Sequence, residues 1–338
     1  MQYAAMHSHR TRMLRQENDM SLTTGSIAVE KSDNVLVATL SNPPLALMDH
    51  EVVEQLGQLA QRADRDSSVG GVVLTGAHPD RFLAHYDVAE LLQNARSSPR
   101  VRPRVARQAL LVVAGLRKLP GGDRLLQDSP AAGLRLVERF HEVTRSIESC
   151  AAVWVAAING SAMGGGSELA LACDLRIARA GDHAIGQPEI MLGFPPGGGG
   201  TQRLSRLVGP AKALRMILEG HPLTPTEALD VGLVDQVVDG ESLLSVAVKE
   251  AARLGARPKA AIGAAKRAIY QGASLRLDRG LRFEASEFVG ALGTEEALDA
   301  MQAYVQATSE LDELPAYNPD TRAAAFARGR FHPVDRVN

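Results

Sequence analysis

Cysteine is almost missing from this chain. Its two copies, Cys150 and Cys173, stand in neither CxxC nor Cys/His spacing, so the sequence offers neither the disulfide framework of a small secreted domain nor a zinc site. That usage predicts a reducing, cytoplasmic setting. An excess of one charge is missing too, because 37 Lys and Arg against 39 Asp and Glu leave a net charge of −2. Such a balance gives no global field for a polyanion or an acidic membrane surface; nucleic acid would need a local patch. No apolar run reaches the roughly 18 residues that span a bilayer; stretches such as Ala151–Ile158 stop well short. No tandem repeat of fixed period appears, which argues against a solenoid or propeller. What is present is ordinary for a globular protein: 45% hydrophobic and 22% charged residues over 338 positions. That suits one large core or two modest ones, and excludes disorder, collagen or coiled coil as a description of the whole.

The first 24 residues read as a flexible leader. Arg10, Arg12 and Arg15 precede any acidic residue, a pattern superficially like a transit peptide, with an upstream start and Met20 as the working one as the alternative. A domain at 25–222 follows. Ile27–Glu30 and Val35–Leu40 read as a hairpin turning at Asp33-Asn34. Val52, Leu56 and Leu59 recur at helical spacing, and Gly71–Thr75 reads as a buried strand. A basic insertion at about 92–130 interrupts this core. Between Leu91 and Gly122 it carries Arg96, Arg100, Arg102, Arg104, Arg107, Arg117 and Lys118 with no Asp or Glu, and a solvated, partly disordered loop is one reading of it. Leu134–Ile147 resumes a helical period and Val153–Ile158 reads as a strand. Residues 223–312 are expected to be predominantly helical, with helices over Lys259–Ile269 and Glu284–Tyr304, and 313–338 form a polar tail bearing Arg322, Arg328 and Arg330. That tail either folds over a neighbouring subunit or frays.

Two glycine-rich segments carry the chemistry. Gly164-Gly165-Gly166-Ser167-Glu168 follows a strand and opens a helix, so unpaired backbone N–H groups and the positive helix end face whatever lies above the turn. Such an end stabilises an oxyanion; a plain tight turn is the simpler reading. Phosphate-loop readings fail on spacing, because Leu169 stands where GxGxxG needs its third glycine and Gly197–Gly200 lacks a following Lys-Ser/Thr. Leu169 also excludes Ser167 as a nucleophile elbow. Glu189 lies just before the second segment, Pro196-Gly197-Gly198-Gly199-Gly200-Thr201. Two carboxylates anchored by rigid turns suit general acid–base work on one water, although either alone would serve as a helix-dipole partner.

Taken together, AAINGSAMGGGSELALACDLRIA and GQPEIMLGFPPGGGGTQRL resemble the enoyl-CoA hydratase/isomerase (crotonase) family, over about Ser26–Tyr304. The resemblance implies an α/β fold: a crotonase-like ββα spiral core followed by a helical C-terminal trimerisation region, assembled as a homotrimer or dimer of trimers. It implies an acyl-CoA substrate, coenzyme A entering only as part of the thioester, and no permanently bound cofactor or metal. The thioester oxygen would accept hydrogen bonds from the backbone N–H groups of Gly165 and Tyr86. Glu168 would activate water, and Glu189 would handle the proton at the α carbon of a 2-enoyl thioester. Ala84, His85, Gly164, Pro188, Pro196 and Gly197 would line the substrate pocket.

Departures from the family pattern keep alternatives in view. His85 and Tyr86 stand where small residues are usual, and a histidine there adds a group titrating near neutrality. Enoyl-CoA isomerase, acyl-CoA hydrolase, or a β-diketone (retro-Claisen) hydrolase using His85 are neighbouring activities, and fold alone does not choose among them. The family's C-terminal basic patch is absent at Tyr304–Thr308. Arg100, Arg102 and Arg104 are the candidates to contact CoA phosphates instead. An RNA- or partner-binding protein using the Arg100–Arg107 strip is the reading from another class.

Overall fold

Asp33 takes a left-handed backbone (φ 51°), which closes the hairpin between β1 (Ser26–Ser32) and β2 (Val35–Ser41). The computed structural model describes residues 25–127, 129–311 and 313–332; the proposed leader and the end of the tail lie outside them. From β2 the chain builds a six-stranded sheet through β3 (Gly71–Gly76), β5 (Val153–Ile158), β7 (Leu175–Arg179) and β9 (Gln236–Val238), in the order β1-β2-β3-β5-β7-β9. All pairs after the hairpin are parallel. A second, three-stranded parallel sheet alternates with it: β4 (Arg81–Leu83), β6 (Ser161–Met163) and β8 (Ile185–Gly186). Each turn of chain therefore gives one strand to the large sheet and one to the small sheet before entering helical structure. That is the ββα spiral of the crotonase fold.

The central strands are apolar throughout because both faces of the large sheet are covered. Trp154, Ala156 and Ile158 point to one core with Leu36, Leu40, Leu74, Leu56 and Ile147. Val153, Val155 and Ala157 point to the other, against Leu243, Ala247 and Ala251 of the helix Leu243–Gly255. The period of two divides one continuous apolar run between two interiors. Buried cations tie the C-terminal helices to this sheet. Lys266 Nζ donates to Ile147 O at 3.0 Å, to Ala152 O at 2.8 Å and to Asp174 Oδ2 at 2.7 Å.

Two expectations are corrected: the loop reading of the insertion and the single helix over 284–304. The basic insertion is folded among the described residues, into helices Val88–Ser97, Pro103–Leu116 and Gly122–Gln127. Arg117 anchors it, bridging Asp123 at 3.2 Å and Glu142 at 3.0 Å. The helical region contributes a strand, β9, which completes the large sheet beyond residue 222. The single long helix ending at Tyr304 is two, Leu277–Leu292 and Glu295–Leu311, parted where Thr294 Oγ1 accepts the N–H of Ala297 at 3.3 Å and starts a new helix. The tail also contains a helix, Pro319–Arg328, capped by Asn318. Among the described residues no helix is long and apolar enough to cross a membrane.

Candidate active site

The site is assembled where β4 and β6 deliver their chain ends side by side. Beyond β4, residues 84–87 lie along 46–48: Ala84 N donates to Ala46 O at 2.7 Å, Met48 N to His85 O at 3.1 Å and Asp87 N to Met48 O at 2.9 Å. In this parallel bridge Met48 takes the groups on either side of Tyr86, which turns the N–H of Tyr86 itself to the opposite side. Beyond β6, Gly165 is the first residue of the buried helix Gly165–Ala172, so its N–H has no partner within that helix. Gly165 lies against the Tyr86 amide: the Cβ that Gly165 lacks would sit 3.3 Å from Tyr86 N. Gly166 allows the approach, because a Cβ there would lie 1.9 Å from Leu83 O. Two neighbouring backbone N–H groups are the kind of donors an oxyanion hole requires.

Glu168 follows in the same helix and is 4% exposed. Its Oε1 accepts from Gly198 N at 2.7 Å and Gly200 N at 2.8 Å, so the second glycine segment acts as a clamp on this carboxylate. Side chains are excluded from the clamp. A Cβ on Gly198 would lie 2.3 Å from Glu168 Oε2 and 2.4 Å from Phe140 Cε1. The loop is held from outside by His141 Nε2, 2.7 Å from Gly197 O, and by Arg203 Nη1, which donates to Gly198 O at 3.1 Å. Arg203 is itself fixed by Glu148, with contacts of 2.6 and 3.1 Å.

Burial pushes the Glu168 carboxyl up, against the N–H groups of Gly200 and Gly198 and the charge of Arg203, which favour its ionised form. Glu189 opens a short 3-10 helix, Glu189–Leu192. Burial, helped by the charge of Glu168, pushes its carboxyl up to about 7 against the pull of its own N–H. Gln187 supports it. With the amide oriented to satisfy both neighbours, Nε2 donates to Glu189 Oε1 at 3.0 Å while its oxygen accepts from Ser167 Oγ at 3.2 Å. The outcome is two carboxylates with raised pKa values in one pocket, one pinned by backbone donors and one poised near neutrality. That arrangement separates acid from base roles.

Both carboxylates, the Gly165 and Tyr86 backbones, His85 and Gly197 line one cavity of about 280 Å³. Four other expected pocket residues do not line it. Ala84 faces a neighbouring cavity with Leu45, Arg81 and Met163. Gly164 lies behind the surface, with His85 Cβ and Glu189 Oε1 at 3.0 and 3.2 Å from the Cβ it lacks. Pro188 precedes the 3-10 helix, and Pro196 packs behind Gly200, leaving Pro195 on the wall. Arg100, Arg102 and Arg104 are exposed and none lines the cavity. His85 Nδ1 donates to Tyr86 O at 2.9 Å, which fixes the tautomer and leaves Nε2 as an acceptor. Burial, then the Glu90 carboxylate, pushes the Tyr86 phenol up, so it stays neutral. The rest of the wall was not singled out from sequence: Met48, Val88, Leu91, Gly133, Leu136, Val137, Phe140, Leu192 and Phe194. Those on the two helices carry only helical spacing, which looks the same for a core, and Met48, Leu192 and Phe194 carry no pattern of their own.

Neighbouring backbone N–H groups and paired carboxylates on a ββα spiral form an arrangement that suits proton transfer next to a carbonyl. Comparison with known proteins gives the same direction. The family model described as enoyl-CoA hydratase/isomerase matches residues 124–310. The short-chain-enoyl-CoA hydratase of Clostridium acetobutylicum is 30% identical over 282 residues, 83% of this chain and 95% of that protein. A probable mitochondrial enoyl-CoA hydratase of Dictyostelium discoideum is 32% identical over 279 residues, 82% of this chain and 87% of that one. Among solved structures, an enoyl-CoA hydratase from Geobacillus kaustophilus aligns with a TM-score of 0.67 at 25% identity, covering 84% of this chain and 96% of that one. The chain belongs to the enoyl-CoA hydratase/isomerase family.

Proposed function

We propose that this chain adds water across the double bond of a 2-enoyl-CoA thioester. The observation that carries the reading is the convergence of Glu168, Glu189 and the two amides of Tyr86 and Gly165 on one predominantly apolar cavity. The thioester oxygen accepts from Tyr86 and Gly165, which favours the enolate formed as water attacks the β carbon. Each such donor is worth about 3 kcal/mol in the transition state. Glu168, its Oε1 occupied by Gly198 and Gly200, takes the proton of the attacking water. Glu189, held near neutrality with a proton, delivers it to the α carbon. Coenzyme A enters and leaves as part of the thioester.

The work is done in the cytoplasm by a homotrimer or dimer of trimers. Assembly is supported by the apolar face left on the helix Leu277–Leu292, where Leu277 is 77%, Phe288 62% and Val289 64% exposed. The test is loss of the conjugated thioester absorbance of crotonyl-CoA. Glu168→Gln, which keeps an oxygen for the two glycine amides, should lower kcat by about 10²- to 10⁴-fold; equal rates in variant and wild type would refute the assignment.

A second reading is favoured by His85, whose acceptor Nε2 belongs to a side chain on the cavity wall. In that case the enzyme is a hydrolase of a β-diketone or thioester, and His85→Ala, rather than Glu168→Gln, abolishes turnover.

A further inference from the structure

The cavity continues away from the carboxylates between two helices, Val88–Ser97 and Ala132–Ser149. One wall is the face Phe140, Val137, Leu136 and Gly133, which recurs at helical spacing. Its near end is at the chemistry, since Phe140 Cε1 and Glu168 Oε2 lie 2.4 and 2.3 Å from a single point, the Cβ position that Gly198 lacks. Gly133 is seven residues earlier, about 10 Å along the helix axis at 1.5 Å per residue. The facing wall starts at Val88, just beyond the oxyanion residue Tyr86, and passes Leu91 to reach Asn94, about 9 Å along its own axis. The helices meet at this far end: a Cβ on Gly133 would lie 3.5 Å from Asn94 Cβ and 3.8 Å from Ser98 Oγ.

Gly133 has no local reason to be glycine. It is the second residue of its helix, its φ is not positive and a Cβ there meets only ordinary contacts, so alanine would fit without strain. What its missing side chain provides is length in an apolar slot that ends at Asn94. An extended hydrocarbon advances roughly 1.2 Å per bond, so the two walls of about 9 and 10 Å hold about seven bonds beyond the β carbon, about ten carbons with the thioester carbonyl.

Building on the thioester reading above, we infer that the physiological substrate class is a medium-chain acyl thioester of about ten carbons, and that Gly133 and Asn94 set the chain-length limit. Butanoyl to dodecanoyl CoA, the saturated thioesters, are titrated calorimetrically into the full-length enzyme. Affinity should climb by up to about fourfold per added methylene and level off near ten carbons. In turnover, kcat/KM for decenoyl-CoA should exceed that for crotonyl-CoA. Gly133→Leu on one wall and Asn94→Phe on the other should each lower the decenoyl-to-crotonyl ratio by at least about tenfold. Affinity independent of chain length in the wild type, or a ratio unmoved by both variants, overturns the inference. A normal affinity ladder without hydration of any length would instead sink the hydratase reading and leave the slot standing.

Discussion

Gly197 and Gly198 are neighbours with opposite expectations. Gly197→Ala adds a methyl to open space, since nothing lies within 4 Å of its Cβ position. Gly198→Ala places one 2.3 Å from Glu168 Oε2 and 2.4 Å from Phe140 Cε1, so something must move by about 1 Å to restore normal contact near 3.5 Å. Glu168 cannot yield cheaply, being buried with Oε1 fixed by two backbone donors. Phe140 is a buried ring in the main core. The loop must therefore shift, stretching the 2.7 Å bond from Gly198 N, and a hydrogen bond to a charged group is worth about 1.5–3 kcal/mol. Overpacking adds about 1–3 kcal/mol. We expect Gly198→Ala to lose about 3 kcal/mol in urea unfolding, and its kcat to fall about 10²-fold as the loop shifts by about 1 Å and Glu168 loses the Gly198 donor that orients it. Gly197→Ala should stay within about 0.5 kcal/mol of wild type. Equal stability of the two variants would refute the clamp.

Further outcomes follow from the same geometry. In the proposed hydration Glu189 works protonated and Glu168 ionised, so kcat/KM should fall about tenfold per pH unit above about 7, with an acid limb above the ordinary carboxylate range; a profile flat from pH 6 to about 9 would contradict this. The raised folded-state pKa of Glu189 also means that its contribution to stability is complete below its unfolded value of 4.5 and is lost as pH rises through about 7. Glu189→Gln should accordingly unfold at higher temperature than wild type at pH 8 and lose that advantage near pH 4, with a pH-independent difference counting against the shift. Lys266→Met strands Asp174, which still accepts from Trp154 N and Tyr270 Oη, and should cost about 3 kcal/mol in denaturant unfolding; a loss below about 1 kcal/mol would show that the buried pair is replaceable.

The sequence made some elements legible because local chemistry alone decides them. Asp33-Asn34 tolerates the left-handed turn of the first hairpin, and the run through Val153–Ile158 can only be a strand buried on both faces. The two glycine segments and Glu168 could be placed because a close backbone approach leaves a mark in composition. Other features depend on partners distant in sequence. Three-residue β9 is held by its pairing with β7, and no period is visible over Gln236–Val238. Helical character continues on both sides of Gly293-Thr294, so the break there was hidden. The insertion's charges suggested a solvated loop, yet Arg117 is drawn inward to Asp123 and Glu142. Phe140, Val137 and Gly133 belong to an ordinary amphipathic helix until the facing helix shows that they border a cavity.

The central claim is that water itself is divided across the double bond, hydroxyl to the β carbon and proton to the α carbon. It is tested most directly by incubating crotonyl-CoA with the enzyme in deuterium oxide enriched in heavy-oxygen water and reading the products by mass spectrometry. The account predicts an intact CoA thioester carrying one heavy oxygen on its β carbon and one deuterium on its α carbon, with neither label appearing when Glu168→Gln is used. Heavy oxygen in a free carboxylate with release of CoA, or deuterium without heavy oxygen, would contradict it and assign the site to hydrolysis or isomerisation.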